Sequence, residues 1–248
     1  MAFRLPLKPV LGALVLLSLA ACQKAEDTSR PETSREFPQP HRPVSAQGSN
    51  QFSTEQDRDN LGEAATVMDL ARIAPGMTVA DIGAGEGYYT VRLAERVGAK
   101  GRVVAEDIDR DAMGRLANRV EKDKLANVYT QVGTPDDARL PNASFDRIFM
   151  VHMYHEVTEP YAFLWRMRQA LKPGGQVIVV DLDRPTGKHG MPPALLFCEL
   201  EAVGFRLAEF VRKPEIQGYY AQFEAHGDRP EPGAIKPCRL EAGQVVRQ

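Results

Sequence analysis

An α/β domain with a doubly wound, mostly parallel sheet is what this 248-residue sequence predicts. Three observations carry the prediction. Short apolar runs of strand length alternate with helix-period segments from about residue 77 onward. The first run ends in an acid and a glycine-rich turn, "VADIGAGEGYYT" at residues 79–90, where a strand gives way to a helix. The last two strand-like runs, "FRLAEFV" and "GYYAQFEA", follow one another without an intervening helix and are expected to close the sheet as a C-terminal antiparallel hairpin.

The N-terminal 53 residues are expected to lie outside that domain. Arg4 and Lys8 precede the apolar run "VLGALVLLSLAA", which is too short for a stable bilayer span and reads as an export signal over residues 1–21. The run ends in "LAAC", which resembles the lipobox of bacterial lipoproteins; that resemblance implies lipidation of Cys22, a membrane attachment through the lipid anchor, and a place in the bacterial cell envelope facing the periplasm. Residues 22–53 turn to Pro, Ser, Thr, Glu and Arg ("TSRPETSREFPQPHRPVSAQGS"), with few apolar side chains to offset the entropy of ordering, and are expected to form a disordered tether.

The folded domain is expected over residues 54–225. "NLGEAATVMDLARI" places Leu61, Ala65, Met68 and Ala71 near one helical face. "MTVADI", "GRVVAEDI", "NVYTQV", "FDRIFMVHM" and "GQVIVVDL" follow as strands, separated by the helices "YYTVRLAERV", "DRDAMGRLANRVEKD" and "PYAFLWRMRQAL". In the last of these, Phe163, Leu164, Met167 and Leu171 form a core stripe, and "KPGG" at 172–175 is read as a glycine stop before the fifth strand. A helix near "PPALLFCELEAVG" and the final hairpin bring the count to seven strands. A C-terminal extension, 226–248, either folds over the pocket or trails away.

Charge narrows the partners. The formal net charge is −2, and the 31 Lys and Arg residues are interspersed with 33 acids rather than gathered in a stripe, so no electrostatic footprint for nucleic acid is present. Cys198 and Cys238 remain if Cys22 is acylated; an exported chain permits them to pair, and two reduced thiols fit the sequence as well.

In a doubly wound sheet the ligand sits beyond the carboxyl ends of the strands, so the loop after strand one is the place for it. A nicotinamide or flavin dinucleotide needs G-x-G-x-x-G, whereas here Gly83, Gly85 and Gly87 alternate and Tyr88 stands where the third glycine belongs. Asp81 before the loop and Glu86 within it would also repel a pyrophosphate. A ligand with a positive centre suits these charges better.

At these residues the sequence resembles class I S-adenosylmethionine-dependent methyltransferases, whose first motif reads D-x-G-x-G-x-G. Within them it is most similar to bacterial sequences that run through R-D, D-I-G-A-G-x-G-Y, L-P-x-x-S-F-D and Y-H-E, as Arg58-Asp59 and residues 81–88, 140–146 and 154–156 do here. The resemblance covers roughly residues 55–225 and implies a Rossmann-like sheet and S-adenosylmethionine as cofactor. It places Asp81, Gly83, Ala84, Gly85, Gly87 and Tyr88 at the methionine end, and Asp107, followed by Ile108, at the ribose hydroxyls, with Glu106 and Asp109 as alternatives. The adenine region departs from the commoner G-D-A: "GTPDDARLP" has Thr134 at that acid's place, and Asp136, preferred, or Asp137 takes over the contact to the exocyclic amine; the alternative is that the pair only forms a turn with N-cap character.

Methyl transfer from a sulfonium is an in-line displacement with an activated leaving group, so the protein mainly positions the reactants. "VHMYHEVTEP" after strand four is expected on the acceptor side, with His155 as base or substrate orienter, Tyr154 as wall or hydrogen-bond donor and Glu156 fixing the imidazole tautomer; the alternative is that His155 and Glu156 only tie down the loop. Metal ligation by His152, His155 and Glu156 is disfavoured, because strand-end residues three apart do not share a face, and no metal is expected. Arg58 and Asp59 read either as a lid or as an exposed ion pair. The leading function is methyl transfer to a small-molecule or envelope acceptor; the alternative is a non-catalytic envelope lipoprotein that uses the same fold as a ligand- or partner-binding module. Oligomeric state leaves no trace in the sequence.

Overall fold

The structure is a computed structural model that describes residues 29–46, 54–216 and 218–247. The export signal and Cys22 lie outside the described residues. Among the described residues no helix is long and apolar enough to cross a membrane.

Five parallel strands, β1 (Thr78–Ile82), β2 (Arg102–Asp107), β3 (Val128–Val132), β4 (Phe145–Val151) and β5 (Leu171–Asp181), are joined by β6 (Phe205–Lys213), which runs in the same direction, and by the reversed β7 (Gly218–Ala225). The order is β3-β2-β1-β4-β5-β7-β6, with β7 lying antiparallel between β5 and β6. The chain builds outward from β1 to β3 and then returns to pair β4 with β1, so the strand order reverses between β1 and β4 and opens a crevice at their carboxyl ends. Strand residues such as Val79, Ala80, Ile148, Phe149 and Val177 to Val180 are buried on both faces, which explains their near-continuous apolar runs.

The helices are α1 (Glu55–Asn60), α2 (Glu63–Leu70), α3 (Tyr88–Val97), α4 (Arg110–Lys122), α5 (Pro160–Ala170) and α6 (Pro193–Ala202). The single first helix expected from residue 60 onward is instead a pair. Thr54 caps α1 through a reciprocal bond with Asp57, and Gly62, at φ 65°, turns the chain into α2. Helix α5 also ends differently from the expected glycine stop. Leu171 is already extended, because Pro173 disfavours helix at Lys172, and β5 begins there with a register shift against β4. Phe163, Leu164 and Met167 are buried on α5 as the spacing predicts, whereas Leu171, also buried, belongs to β5.

Two peripheral segments correct the sequence reading. The disordered tether expected over 22–53 is packed in its described part, residues 29–46. Phe37 is buried and packs its edge on Trp165, Arg30 pairs with Glu159, and Arg42 pairs with Glu199 at 2.9 Å in full burial. Sparse apolar content conceals this, since one aromatic ring and two arginines with distant acidic partners supply the contacts. The C-terminal extension, with its hairpin of β8 (Cys238–Glu241) and β9 (Gln244–Arg247), does not trail away; it packs on α6, held by a Cys198–Cys238 disulfide, an Arg247–Glu201 pair and the Cys238 amide bonded to the Tyr161 hydroxyl.

Candidate active site

The glycine loop joins β1 to α3 at the reversal point. Gly83, Gly85 and Gly87 all take positive φ, at 67°, 53° and 90°. A Cβ on Gly87 would strike Leu116 of α4, so that glycine serves helix packing as well as the turn. A Cβ on Gly85 would meet nothing within 4 Å, so the loop backbone there is open to a ligand. The Ala84 amide bonds the Glu106 carbonyl at 2.9 Å, which ties the loop to the end of β2.

Asp81 is buried at the end of β1 and accepts a 2.6 Å bond from the Thr90 hydroxyl. Burial pushes its carboxyl up to about 6, against the opposing pull of Thr90 and Arg58. The bond from Thr90 ties the end of β1 to the first turn of α3.

Three acids at the end of β2 fit the sequence as the diol-binding residue, and the structure separates them. Asp107 Oδ2 accepts the Gly85 amide at 3.0 Å and Oδ1 accepts the Asp109 amide at 2.9 Å, leaving a partly exposed carboxylate against the loop with further acceptor capacity. Asp109 is consumed as the N-cap of α4, accepting from the Asp111 and Ala112 amides. Glu106 is buried beneath Gly133, where no side chain would fit, and burial together with Asp107 and Asp137 pushes its carboxyl up to about 9. Ile108 continues the edge beside Asp107, partly exposed.

Asp136 sits in the loop after β3 and its carboxylate is engaged. Thr33 from the N-terminal segment donates to it at 2.5 Å, Thr134 at 2.9 Å and Arg166 at 2.7 Å. Although burial acts to raise its pKa, these donors hold it below the ordinary value. Tyr88 likewise has its ring covered, with the guanidinium groups of Arg58 and Arg92 at 3.8 and 3.9 Å from its centroid and its hydroxyl donating to Asp59. Arg58 and Asp59 are therefore not paired with each other. Arg58 bonds Glu63 at 2.6 Å, while Asp59 bonds Arg92.

Glu63, which sequence reasoning did not single out, gathers Arg58, Tyr89 and His152 around one buried carboxylate. Burial alone would raise its pKa, yet the nearby His152 imidazole and the bonded Arg58 guanidinium depress it to about 2. His152 thus faces α2 and not His155.

The segment after β4 is a short 3-10 turn, Tyr154–Glu156. Tyr154 is not a wall of an open site. It is fully buried and donates to Glu199 at 2.7 Å. His155 is 1 % exposed, and its Nδ1 lies 3.0 and 3.1 Å from the two oxygens of Asp181 at the end of β5. The tautomer-fixing acid is therefore Asp181 rather than Glu156, whose Oε1 stands 3.8 Å from Nε2. His189, in the loop after β5, sets its ring edge-on to that of His155 at 5.6 Å. Asp181 had a signal in the sequence, an acid closing an apolar strand as Asp81 and Asp107 do; His189 had none.

Residues 79–175 match the family model described as a methyltransferase domain. The chain is 31 % identical over 178 residues to the ubiquinone/menaquinone biosynthesis C-methyltransferase UbiE of Shewanella sp. (strain ANA-3), covering 71 % of this chain and 69 % of that one. The protein of the same name from Methylococcus capsulatus is 36 % identical over 118 residues, 47 % of each chain. A crystal structure of a SAM-dependent methyltransferase from Aquifex aeolicus shares the fold, with a TM-score of 0.61, 24 % identity, and 69 % of this chain and 98 % of that one covered. With the glycine loop, the β2-terminal acid and the 3-2-1-4-5-7-6 sheet in place, the chain belongs to the class I methyltransferase family that uses S-adenosylmethionine as cofactor.

Proposed function

We propose that the protein transfers a methyl group from S-adenosylmethionine to a small-molecule or envelope acceptor. The observation that carries the reading is the bond from the Gly85 amide to Asp107, which brings an open loop backbone and an acid with spare acceptor sites to one place at the switch point of the sheet. Such a cradle fits the cofactor: the carboxylate suits a vicinal diol, the open space at Gly85 suits close approach of the backbone, and Gly83 and Gly87 at positive φ hold the loop in shape. When bound, the cofactor supplies an electrophilic methyl on a sulfonium. The chain's own part is to bind and orient. Ala84, Tyr88 and Ile108 flank the cradle, and Asp136 braces its far side through Arg166.

On the acceptor side His155 is the orienting residue, with Asp181 fixing the ring so that Nε2 faces away from the strand end. Glu156 lines the same corner, and Tyr154 holds the turn from within the core. The curated relatives are named for C-methylation in quinone biosynthesis, which supports a small organic acceptor for this chain. We place the protein at the bacterial envelope, anchored through Cys22; the lipobox-like "LAAC" supports this, and so does the Cys198–Cys238 disulfide, since such bonds persist in oxidising compartments.

The near-complete burial of His155 favours a second reading, a binding module that holds the cofactor without turning it over. Calorimetric titration of the purified protein with S-adenosylmethionine, S-adenosylhomocysteine and NAD tests the cradle. Binding of both sulfur ligands and not of NAD supports the proposal, and binding of neither sinks it. Release of S-adenosylhomocysteine in the presence of an envelope extract then separates transferase from binding module.

A further inference from the structure

Outside the cofactor cradle, the loops after β4 and β5 bring two imidazoles and a carboxylate together. His155, Glu156 and His189 each offer one ligand atom, and these atoms lie within 4.8 Å of one another. Glu156 Oε1 is 3.8 Å from His155 Nε2 and 4.0 Å from His189 Nδ1, so the carboxylate sits between the two rings.

His155 makes this more than a chance cluster. Its Nδ1 is taken by both oxygens of Asp181, a fully buried carboxylate that also accepts the Leu182 amide at 2.7 Å. With Nδ1 as the donor, Nε2 presents a lone pair, and among the described residues it has no hydrogen-bond partner although it is buried. An unsatisfied buried acceptor is costly, and at 3.8 Å Glu156 is too far to satisfy it from the opposite protonation state. An acid behind the distal nitrogen of a histidine whose near nitrogen is open is the arrangement that orients metal-ligating imidazoles.

The loops are braced for the purpose. The Ser45 amide bonds the His155 carbonyl at 3.2 Å, and the Ser45 hydroxyl accepts the His189 amide at 3.0 Å while donating to the Thr186 carbonyl. His189 itself takes a left-handed φ of 52°, uncommon for a non-glycine residue, and this directs its ring toward His155.

We propose that His155 Nε2, a Glu156 carboxylate oxygen and His189 Nδ1 form a divalent transition-metal site, with Asp181 as its outer-sphere partner. Two imidazoles and one carboxylate suit zinc and neighbouring borderline ions rather than calcium or magnesium, which prefer all-oxygen shells. Bonds of about 2.0–2.1 Å in a tetrahedron set ligand atoms about 3.3 Å apart. The gaps, 3.8 and 4.0 Å to the carboxylate and no more than 4.8 Å between the two imidazoles, therefore need contraction of up to about 1.5 Å, which the partly exposed side chains of Glu156 and His189 can supply while His155 stays fixed. Three protein ligands leave a coordination position for a small oxygen or nitrogen donor; that the donor is the methyl acceptor rests on the functional reading above, whereas the metal site itself does not.

The test is equilibrium dialysis of untagged, chelator-treated protein against Zn2+, with the absorption of bound Co2+ as a second readout of coordination. One tight equivalent is expected in the wild type. His189→Ala and Glu156→Gln, both at partly exposed positions, should each weaken it at least tenfold and change the Co2+ spectrum, and Asp181→Asn should weaken it about 10- to 100-fold. All three should keep S-adenosylhomocysteine binding, measured in the same samples as the check on folding. A wild type that retains no more zinc than the Glu156→Gln, His189→Ala double variant would overturn the site. Loss of S-adenosylhomocysteine binding with zinc retained would count against the cofactor reading alone.

Discussion

The Asp107 carboxylate accepts the Gly85 amide at 3.0 Å, joining the two sequence signals of the cofactor cradle through a single hydrogen bond. Its second oxygen takes the Asp109 amide, so the side chain is held from two sides before any ligand arrives. Removal of the carboxylate should therefore cost both ligand contacts and loop order. Asp107→Ala is expected to weaken S-adenosylhomocysteine binding by about 1–3 kcal/mol, with a smaller change in melting temperature. Asp107→Asn, which keeps one acceptor oxygen, should fall between the two in calorimetry. Unchanged affinity in Asp107→Ala would remove this residue from the site.

Glu106, one residue earlier, should behave in the opposite way and affect stability. Its carboxyl is pushed from 4.5 up to about 9 by burial and by neighbouring Asp107 and Asp137. Between those values the unfolded chain has released the proton and the folded chain retains it, so this group's contribution to stability falls as pH rises through the window and is flat below about 4.5. Glu106→Gln removes the titration while keeping the shape. Its stability relative to wild type should rise with pH between about 5 and 9, by at most about 1.4 kcal/mol per unit. Melting curves across that range check it, and a difference that does not vary with pH would refute it.

The contrast between these neighbours shows what the sequence makes legible. The strand-and-loop frame is visible because period-two and period-3.6 patterns are local, and "AEDID" marks a strand end within a residue or two. Which of its three acids faces the ligand depends on side-chain direction and on the N-cap duty of Asp109, both settled by packing. Asp181 and His189 meet His155 only because β5 pairs with β4, and His189 lies in a loop without periodicity. The polar composition of the N-terminal segment points to a tether, yet composition cannot reveal that Arg42 has a partner 157 residues away.

The disulfide offers an independent test of compartment and of stability. Cys198 and Cys238 close a loop with a sequence separation of 40, for which the chain-entropy relation gives about 4 kcal/mol. Reduction, or Cys198→Ser with Cys238→Ser, should lower the melting temperature by an amount matching a loss of about 2–4 kcal/mol while leaving S-adenosylhomocysteine binding intact. Thiol alkylation followed by mass measurement of protein from the native host should find both cysteines blocked. Free thiols in that material would contradict the bond and weaken the envelope assignment together.

Arg42 and Glu199 supply the sharpest test of whether the N-terminal segment is part of the domain. Their side chains are 2 % and 0 % exposed, and Tyr154 also donates to Glu199, so the pair stands directly behind the turn that carries His155. Arg42→Met would leave the Glu199 charge buried without its counterion, at an expected loss of about 3–5 kcal/mol. Adding Glu199→Gln removes that charge and keeps an acceptor for the Tyr154 hydroxyl, so the double variant should recover much of the loss. By comparison Arg115→Met, which breaks an exposed pair with Glu86, should change stability by less than about 1 kcal/mol. If denaturant titration shows Arg42→Met as mild as Arg115→Met, the segment contributes nothing to the fold, and the bracing of the His155 and His189 loops by Ser45 loses its foundation.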